Sequence, residues 1–390
     1  MLKKKYSYGK QFIDEDDIQA VTKVMRSSWL TQGPMIEKFE QSLCDKFGFK
    51  YGTAVANGTA ALHLASICLG CLKGDVVITS PLTFLATANS IIYTGSIPDF
   101  VDIDPISYTI DINKLEEKIK FYHKKGINIK GVIGVDYAGH PCDWENLRYL
   151  ANKHEFHLID DACHAIGAGY NNSIKYASKF ADITIFSFHP VKHITTGEGG
   201  ALMTNLELYN KRANRLRAHG ITKDTSEMER QVGPWYYEMH ELGFNFRLTD
   251  IQCALGISQM KKLDNFIKKR QNIALSYNKH LYNENIFTIP EIKKGVSHSY
   301  HLYPLQIKFD KIETTKKELF NKLMEQNIYC QVHYIPIHLQ PYYKKNYGFK
   351  YGDFPVAEKF YKQEISIPMY PSLEIEDIDY IVSIIKKITK

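Results

Sequence analysis

Lys192 follows the strongly apolar segment 181–188 and precedes a glycine-rich turn that ends at Gly200. Most lysines are solvated surface groups, and an arbitrary lysine is best interpreted as one of them. A lysine that leaves a buried strand beside hydroxyl groups and flexible backbone is instead suited to a pocket that lowers its pKa. In such a pocket the neutral amine forms imines with carbonyl compounds. Ser187 could add a hydroxyl group to a nearby phosphate site.

Two carboxylates, Asp160 and Asp161, end another apolar segment. Carboxylates at the end of a buried strand are costly unless each has a partner, so one could cap a helix while the other meets a cationic ligand group. A pyridinium nitrogen is such a group, because a neighbouring carboxylate keeps the ring protonated and electron-withdrawing. His164 could lie against a planar ring, although a hydrogen-bonded core histidine is the simpler interpretation of that residue alone. The residues themselves leave the choice between Asp160 and Asp161 open.

The third segment with chemical potential is Asn57-Gly58-Thr59-Ala60, where a helix is predicted to begin. Free backbone N–H groups and the helix dipole make such a start suitable for a phosphate group. Taken alone, an ordinary helix cap is the simpler interpretation. The order along the chain is more informative, because a phosphate turn, an acidic strand end and then Ser187 with Lys192 follow one another.

These segments must be positioned by a sheet. Six short runs rich in Val, Ile and Phe predict buried strands: 75–80, 97–104, 131–137, 156–161, 181–188 and 200–205. Helical or loop segments separate most of them, which predicts an α/β fold with a mainly parallel sheet covered on both faces. Helices are predicted from Asp14 onward and from Asn57 to Gly70. Ligands of such sheets bind at the carboxyl ends of the strands.

The pattern changes from Asp250, where a long helical segment runs to about Leu281. Strands are then predicted at 301–309 and 328–334, and helices at 315–326 and from Ser372 onward. This arrangement indicates a smaller α+β domain. We expect a large domain over residues 1–260 and a small C-terminal domain over residues 261–390.

The composition excludes several classes of protein. The chain has 390 residues, of which 44% are hydrophobic and 24% charged, as is ordinary for a globular protein. The net charge of +6 is spread along the chain, which favours anionic ligands but not nucleic acid. No long apolar run predicts a membrane span, and the basic residues 1–5 lack the apolar stretch of a signal peptide. A cytoplasmic protein without membrane or nucleic-acid partners is expected.

The seven cysteines are odd in number and irregular in spacing, so a disulfide framework is not expected. Cys68 and Cys71 form one C-x-x-C motif. No second pair or histidine cluster accompanies them, and we therefore expect no metal site.

The chain resembles the sugar aminotransferases of the DegT/DnrJ/EryC1/StrS family over nearly its whole length. The matching stretches are 30–34 (LTQGP), 57–63 (NGTAALH), 83–89 (TFLATAN), 161–165 (DACHA), 187–200 (SFHPVKHITTGEGG) and 243–248 (GFNFRL). Motifs of this length and number are specific to that family. The resemblance implies a fold-type I, aspartate aminotransferase-like α/β fold, pyridoxal 5'-phosphate (PLP) as cofactor, and a homodimer with shared active sites.

For the catalytic residues, the resemblance implies that Lys192 forms the imine with PLP and then moves the proton of transamination. It pairs Asp161, rather than Asp160, with the pyridine nitrogen. His164 and Phe84 would lie on the two faces of the ring. The resemblance further implies four phosphate-binding residues: Gly58, Thr59, Ser187 and, reaching into the neighbouring subunit, Asn245.

Residues 6–9 (YSYG), 187–196 and 331–338 (QVHYIPIH) are most similar to the family branch of pseudaminic acid biosynthesis. That branch implies transfer of an amino group from L-glutamate to C4 of a UDP-linked 4-keto-6-deoxy-N-acetylhexosamine. The implied sugar-site residues are Tyr6, Ser28, Trp29, Leu30, Thr31, Gln331, Val332, His333 and Tyr334. Without the resemblance, Tyr6 and Tyr334 could equally be packing aromatics. Cys163 and the longer insert at 222–241 depart from the family pattern, and the insert could reshape the sugar pocket.

Alternatives remain. The same catalytic residues would serve another UDP-, GDP- or dTDP-linked 4-keto-6-deoxy sugar. A non-catalytic PLP-binding sensor is a second alternative, against which the retention of Lys192, Asp161 and Ser187 counts. A nicotinamide-dependent enzyme would need G-x-G-x-x-G after an early strand, and the nearest match, at 167–172, lacks the third glycine.

Overall fold

The computed structural model describes residues 4–282 and 284–390, so residues 1–3 of the basic N-terminal segment lie outside the described residues. The strands are β1 (Tyr6–Ser7), β2 (Tyr51–Val55), β3 (Val76–Thr79), β4 (Ile97–Phe100), β5 (Gly131–Val135), β6 (His157–Asp161), β7 (Gly169–Tyr170), β8 (Ile183–Ser187), β9 (Gly200–Thr204), β10 (Ile221–Thr222), β11 (Glu238–Met239), β12 (Phe287–Thr288), β13 (Val296–Ser297), β14 (Tyr303–Ile307), β15 (Ile328–Tyr329) and β16 (Glu364–Ile367).

The helices are α1 (Glu15–Met25), α2 (Pro34–Phe47), α3 (Gly58–Cys68), α4 (Leu85–Ile92), α5 (Ile112–Lys124), α6 (Trp144–His154), α7 (Tyr176–Phe180), α8 (Glu207–Leu216), α9 (Asp250–Met260), α10 (Leu263–Leu281), α11 (Lys316–Glu325), α12 (Pro341–Tyr347), α13 (Pro355–Gln363) and α14 (Ile375–Thr389). Short 3-10 turns occur at Tyr137–Gly139, Phe309–Lys311 and Ile337–Leu339. Within the described ranges, no helix combines the length and the apolar character that a membrane span requires.

The central sheet has seven strands in the order β2-β9-β8-β6-β5-β3-β4. Strands β8, β6, β5, β3 and β4 are parallel to their neighbours in this series, whereas β9 runs antiparallel to both β2 and β8. The six predicted strands are confirmed, and so is the mainly parallel sheet. Strand β2 is an addition that the sequence patterns did not predict.

Both faces of the sheet are buried, which explains the near-continuous apolar runs. Successive side chains of a strand point to opposite faces. In β6, Leu158 belongs to the core that contains Trp144, while Ile159 belongs to the core that contains Leu62 of α3. Consequently Asp160 and Asp161, the next two residues, also lie on opposite faces.

A second apolar core lies in the C-terminal part, where β12, β14 and β16 form an antiparallel sheet packed by α10, α11 and α14. Tyr6 is part of this core, because β1 pairs in parallel with β15. A further cluster joins Phe100 and Tyr137 to Ile337 and Phe360, so the C-terminal part packs directly against the sheet. The division at residues 260 and 261 stays a prediction.

Three predicted elements differ from the structure. The helical pattern from Asp250 to Leu281 is two helices, because α9 packs on α1 and α2 whereas α10 turns away to pack on α14. The strand predicted at 328–334 ends at Tyr329, after which only Gln331 forms a bridge, to Ser366. The last helix starts at Ile375 rather than Ser372, since Glu374 provides the cap.

Asp250 joins the start of α9 to the start of α2. Its carboxylate is fully buried and accepts hydrogen bonds from the N–H groups of Gly33 at 2.7 Å and Met35 at 2.9 Å. These donors have no intrahelical acceptor, because they lie at a helix N-terminus. The contact holds the segment before α2 against the segment that contains Leu248.

Asp250→Asn should lower the free energy of unfolding by about 2 kcal/mol, because the amide group turns a donor towards one of the two N–H groups that the carboxylate binds. Thermal unfolding monitored by circular dichroism measures the effect as a lower midpoint. Asp264→Asn is the control, since that carboxylate is 77% exposed in its pair with Lys46 and exposed pairs contribute little. Equal shifts in the two variants would contradict the role given to Asp250.

Candidate active site

Lys192 lies in the loop after β8, where its backbone N–H donates to the carbonyl of His189. Its side chain is partly buried, and its Nζ lies 3.4 Å from Nε2 of His301. Burial lowers the pKa of Lys192 to about 8, against the opposing influence of the Cys163 thiol and the Asp161 carboxylate. The amine is therefore available in its neutral, nucleophilic form near neutral pH.

Asp161 ends β6 on the face that is covered by α3. Its Oδ2 accepts a hydrogen bond from Thr87 at 2.7 Å, and its Oδ1 accepts one from the N–H of Cys163 at 3.3 Å. Asp160 points to the opposite face, where its nearest donor is Thr184 at 3.5 Å. Burial, together with Asp136 and Asp161, raises the pKa of Asp160 well above its usual range. The structure thus brings Asp161, and not Asp160, to the side of Lys192.

The start of α3 presents free backbone N–H groups next to β8. Asn57 caps the helix by accepting from the N–H of Ala60 at 2.8 Å, which leaves the N–H groups of Gly58 and Thr59 without partners in the described chain. A Cβ atom on Gly58 would lie 3.0 Å from Cβ of Ser187. A side chain at this position would therefore crowd Ser187, and glycine lets the helix start approach the Ser187 hydroxyl closely. Free N–H groups, a helix dipole and a hydroxyl are the groups that bind phosphate.

Ring side chains line the space beside Lys192. Nδ1 of His164 accepts a hydrogen bond from the N–H of Ala138 at 3.3 Å, so its proton lies on Nε2, which is 3.0 Å from the Tyr334 hydroxyl. The Tyr334 ring is 5.9 Å from that of Phe84, centre to centre. Phe84 immediately precedes α4 and is 54% exposed. Its apolar face is thus open to a ligand.

The predicted sugar residues fall into separate groups. The Tyr334 hydroxyl lies 3.0 Å from Nε2 of His164, whose ring is 4.3 Å from that of His301, the partner of Lys192. His333 adjoins Tyr334, and its Nδ1 is bound to the Ser366 hydroxyl at 2.8 Å. Gln331 and Val332 precede them in the same segment, where Gln331 pairs with Ser366. A second group of predicted sugar residues is exposed, and within residues 4–282 and 284–390 its side chains make no hydrogen bond to Lys192, His164 or His301: Ser28, Trp29, Leu30 and Thr31. The predicted phosphate residue Asn245 is likewise exposed, and its side chain accepts from Arg247.

The structure does not bring Tyr6 to Lys192. Its ring is buried in the C-terminal core, 5.7 Å from that of Tyr380. Tyr8, which sequence reasoning missed, instead lies 4.9 Å from the His333 ring. A signal for Tyr8 existed, since it lies in the stretch 6–9 that resembles the family branch. In the fold, the adjoining Gly9 approaches Val191 closely, with a Cβ atom placed there 3.2 Å from Cβ of Val191.

Thr87 and His301 are the other residues that sequence reasoning missed. Thr87 lies within the matching stretch 83–89, and its contact with Asp161 became visible only in the fold. No local motif distinguishes His301 from other histidines. Both contacts join residues that are distant in the chain.

The C-x-x-C cysteines are buried away from this site. Burial raises the pKa of Cys68 to about 12 and that of Cys71 to about 11, which makes both thiols poor metal ligands and poor nucleophiles. Within the described ranges, no group of three or more His, Cys, Asp or Glu side chains is arranged to hold a metal ion.

The chemical groups around Lys192 fit PLP. The amine suits an aldehyde, the Asp161 carboxylate suits a pyridinium nitrogen, and the start of α3 with Ser187 suits a phosphate. The Phe84 ring offers an apolar face for stacking. Neighbouring strand ends set the spacing between the Asp161 carboxylate and the Ser187 hydroxyl, since Asp161 is paired with Ile185, two residues before Ser187.

Comparison with known proteins agrees with this geometry. The model of the DegT/DnrJ/EryC1/StrS aminotransferase family matches residues 11–386. The chain belongs to this family. It is 39% identical to the UDP-4-amino-4,6-dideoxy-N-acetyl-beta-L-altrosamine transaminase of Campylobacter jejuni subsp. jejuni serotype O:23/36 (strain 81-176), over 98% of both chains.

Solved structures of similar proteins agree as well. Helicobacter pylori PseC, an aminotransferase involved in the biosynthesis of pseudoaminic acid, matches with a TM-score of 0.90 and 33% identity over 99% of both chains. The PLP form of Spr1654 from Streptococcus pneumoniae matches with a TM-score of 0.87 and 26% identity over 99% of both chains. This member of the DegT/DnrJ/EryC1/StrS family is therefore a PLP-dependent sugar aminotransferase of fold type I, as the sequence resemblance implied.

The capture of PLP by the apoenzyme should depend on pH with a midpoint near the Lys192 pKa of about 8. The neutral amine is the reactive form, so capture should fall below that pH and level off above it. Borohydride reduction over a pH series, followed by mass spectrometry of the Lys192 peptide, measures the midpoint.

Lys211 is the internal control of that experiment, because its pKa is raised by Glu207 and its capture should still be rising where that of Lys192 has levelled. Parallel pH profiles for the two lysines would show that the pocket does not alter the Lys192 amine.

Proposed function

We propose that this enzyme moves an amino group from L-glutamate to C4 of a UDP-linked 4-keto-6-deoxy-N-acetylhexosamine in pseudaminic acid biosynthesis. The observation that carries the proposal is the position of His333 and Tyr334. They belong to the stretch 331–338 that resembles this branch of the family. The Tyr334 hydroxyl lies 3.0 Å from His164, whose ring packs 4.3 Å from that of His301, the partner of Lys192. The branch-specific segment and the reactive amine therefore face the same space. The similarity to an altrosamine transaminase along the whole chain supports the same substrate.

Each catalytic residue has a defined task in the proposal. PLP, when bound, supplies an electrophilic carbonyl group and an electron-withdrawing ring. The Nζ of Lys192 takes a proton from the α-carbon of the amino donor and, in the second half-reaction, delivers a proton to C4 of the sugar. Asp161 holds the proton of the ring nitrogen, because a buried carboxylate favours a neighbouring cation. Thr87 and the N–H of Cys163 keep that carboxylate in place.

The remaining cofactor residues bind and orient. The N–H groups of Gly58 and Thr59 and the Ser187 hydroxyl hold the phosphate. Phe84 and His164 cover the faces of the ring. Tyr334 receives the Nε2 proton of His164, so its own hydroxyl proton is free to donate towards the sugar.

We further propose a homodimer in which Asn245 reaches the phosphate of the neighbouring subunit. Asn245 is exposed, and its side chain accepts a hydrogen bond from Arg247 of the same strand-like segment. Large apolar side chains near it in the chain are also exposed, namely Trp235 at 70%, Met239 at 63% and Leu242 at 79%. Exposed apolar surface of this kind supports an interface with a second copy. The cytoplasmic location stays a prediction.

The substrate is tested by product analysis with purified enzyme, PLP and L-glutamate. We expect amination at C4 of the UDP-linked 4-keto-6-deoxy-N-acetylhexosamine and at least tenfold slower turnover of the GDP- and dTDP-linked 4-keto sugars. Lys192→Ala should fold and bind PLP without a covalent bond, yet transfer no amine. Faster amination of a GDP- or dTDP-linked sugar would reassign the substrate, and clear turnover by Lys192→Ala would reject the role of the lysine.

Asp161→Asn should lower kcat by several powers of ten, because a neutral amide cannot hold the proton of the ring nitrogen. Asp160→Asn is the matched control. Since burial already favours the protonated form of Asp160, replacing it by a neutral amide should leave kcat within about threefold. Steady-state kinetics of the two variants compare the neighbouring carboxylates directly. If Asp160→Asn lowered kcat more than Asp161→Asn, Asp160 would be the partner of the ring nitrogen.

A further inference from the structure

His301 is a buried histidine beside the reactive amine, and neither the sequence motifs nor the proposed mechanism gives it a task. It lies two residues before β14 and is 3% exposed. Its Nε2 is 3.4 Å from Nζ of Lys192, whereas its buried Nδ1 has no hydrogen-bond partner among residues 4–282 and 284–390. A buried polar atom without a partner requires an explanation, because such atoms are uncommon.

The unpartnered Nδ1 decides where the imidazole carries its proton. A neutral imidazole has one N–H and one lone pair. Orphaned buried N–H groups are rarer than under-satisfied acceptors. The proton of His301 therefore lies on Nε2, which has Lys192 as its partner, and the lone pair lies on Nδ1.

The charges around His301 exclude its doubly protonated form. Burial and the positive charges of Lys192 and Arg270 lower the pKa of His301 well below its usual range. Arg270 is fully buried and donates to the backbone carbonyl of His301 at 3.3 Å. The His164 ring lies 4.3 Å away and the His193 ring 5.7 Å away, centre to centre.

An N–H group that points at Nζ can be accepted only by the lone pair of a neutral amine. A protonated Lys192 would place one donor against another. The other groups that act on Lys192 are Asp161 and Cys163, which favour its protonated form, while the protonated amine in turn disfavours protonation of His164, His193 and His333. Among these groups, His301 is the one whose described contact is with Nζ itself.

We propose that His301 donates its Nε2–H to Nζ of Lys192 and thereby disfavours the protonated amine, so that Lys192 both accepts and releases a proton near neutral pH. This inference rests on the proposed function, in which Lys192 moves the proton of transamination. A group that transfers protons works best when its pKa is close to the working pH. His301 opposes Asp161, whose negative charge alone would hold the proton on the lysine.

The test measures the pH midpoint of PLP capture by Lys192 in the full-length apoenzyme, by borohydride reduction and peptide mass spectrometry. His301→Gln places an amide oxygen within reach of the protonated amine. The midpoint should then rise by about one to two pH units, the effect of one hydrogen bond to a charged group. His301→Glu provides a second variant with an oxygen acceptor of the same reach and an expected rise in the midpoint, in case the first does not fold.

His298→Gln is the matched control. His298 is 4% exposed in the same segment, and its Nδ1 accepts from the N–H of Tyr300 at 2.8 Å rather than contacting Lys192. Its midpoint should equal that of the wild type. Nitrogen-15 NMR of histidine-labelled wild type gives an independent readout, with the proton of His301 expected on Nε2.

The outcomes separate the inference from the function on which it rests. A midpoint that stays constant or falls in His301→Gln, or an NMR proton on Nδ1, overturns the role of His301 while PLP capture at Lys192 persists. Absence of capture by wild-type Lys192 at every pH would instead overturn the proposed function. A raised midpoint in the His301 variants, with His298→Gln unchanged, supports the inference.

Discussion

The site depends on one constraint: the amine of Lys192 is buried away from water while a carboxylate, Asp161, lies near it. Burial disfavours the charged form of Lys192, whereas the charge of Asp161 favours it, and the balance lowers the lysine pKa to about 8. Two neighbouring parallel strands, β6 and β8, end at the same edge of the sheet and bring the two groups together. Reactivity here is therefore a consequence of how the sheet is packed.

The C-terminal part of the chain completes the site. His301, His333 and Tyr334 all come from it, while Lys192 and Asp161 come from the central sheet. Buried contacts hold the two parts together, including the apolar cluster that joins strands of the sheet to the segment after His333. A change that loosens this packing would separate the amine from its surrounding rings and admit water.

Histidines form much of the wall around Lys192, and burial keeps them neutral. The pKa values of His164, His193 and His301 are all lowered well below the usual range, mainly by loss of hydration. A neutral imidazole can donate or accept a hydrogen bond without adding a charge that would compete with Asp161 or repel the amine. Backbone contacts set the tautomer of His164, through the N–H of Ala138. Proton positions in the site are therefore determined by the fold and not by solvent.

The sequence by itself determined those features of the protein that depend on interactions between residues close together in the chain. The apolar strands, the cap at Asn57 and the motifs around Lys192 depend on residues close in the chain, and they indicated the sheet, the cofactor and the family. The tertiary structure decided what depends on distant residues. It placed Asp160 and Asp161 on opposite faces of β6, with Asp161 on the side of Lys192. It ended the strand predicted at 328–334 at Tyr329. It also set His301 beside a lysine 109 positions away in the chain. Such contacts arise from packing of whole elements, which no local pattern encodes.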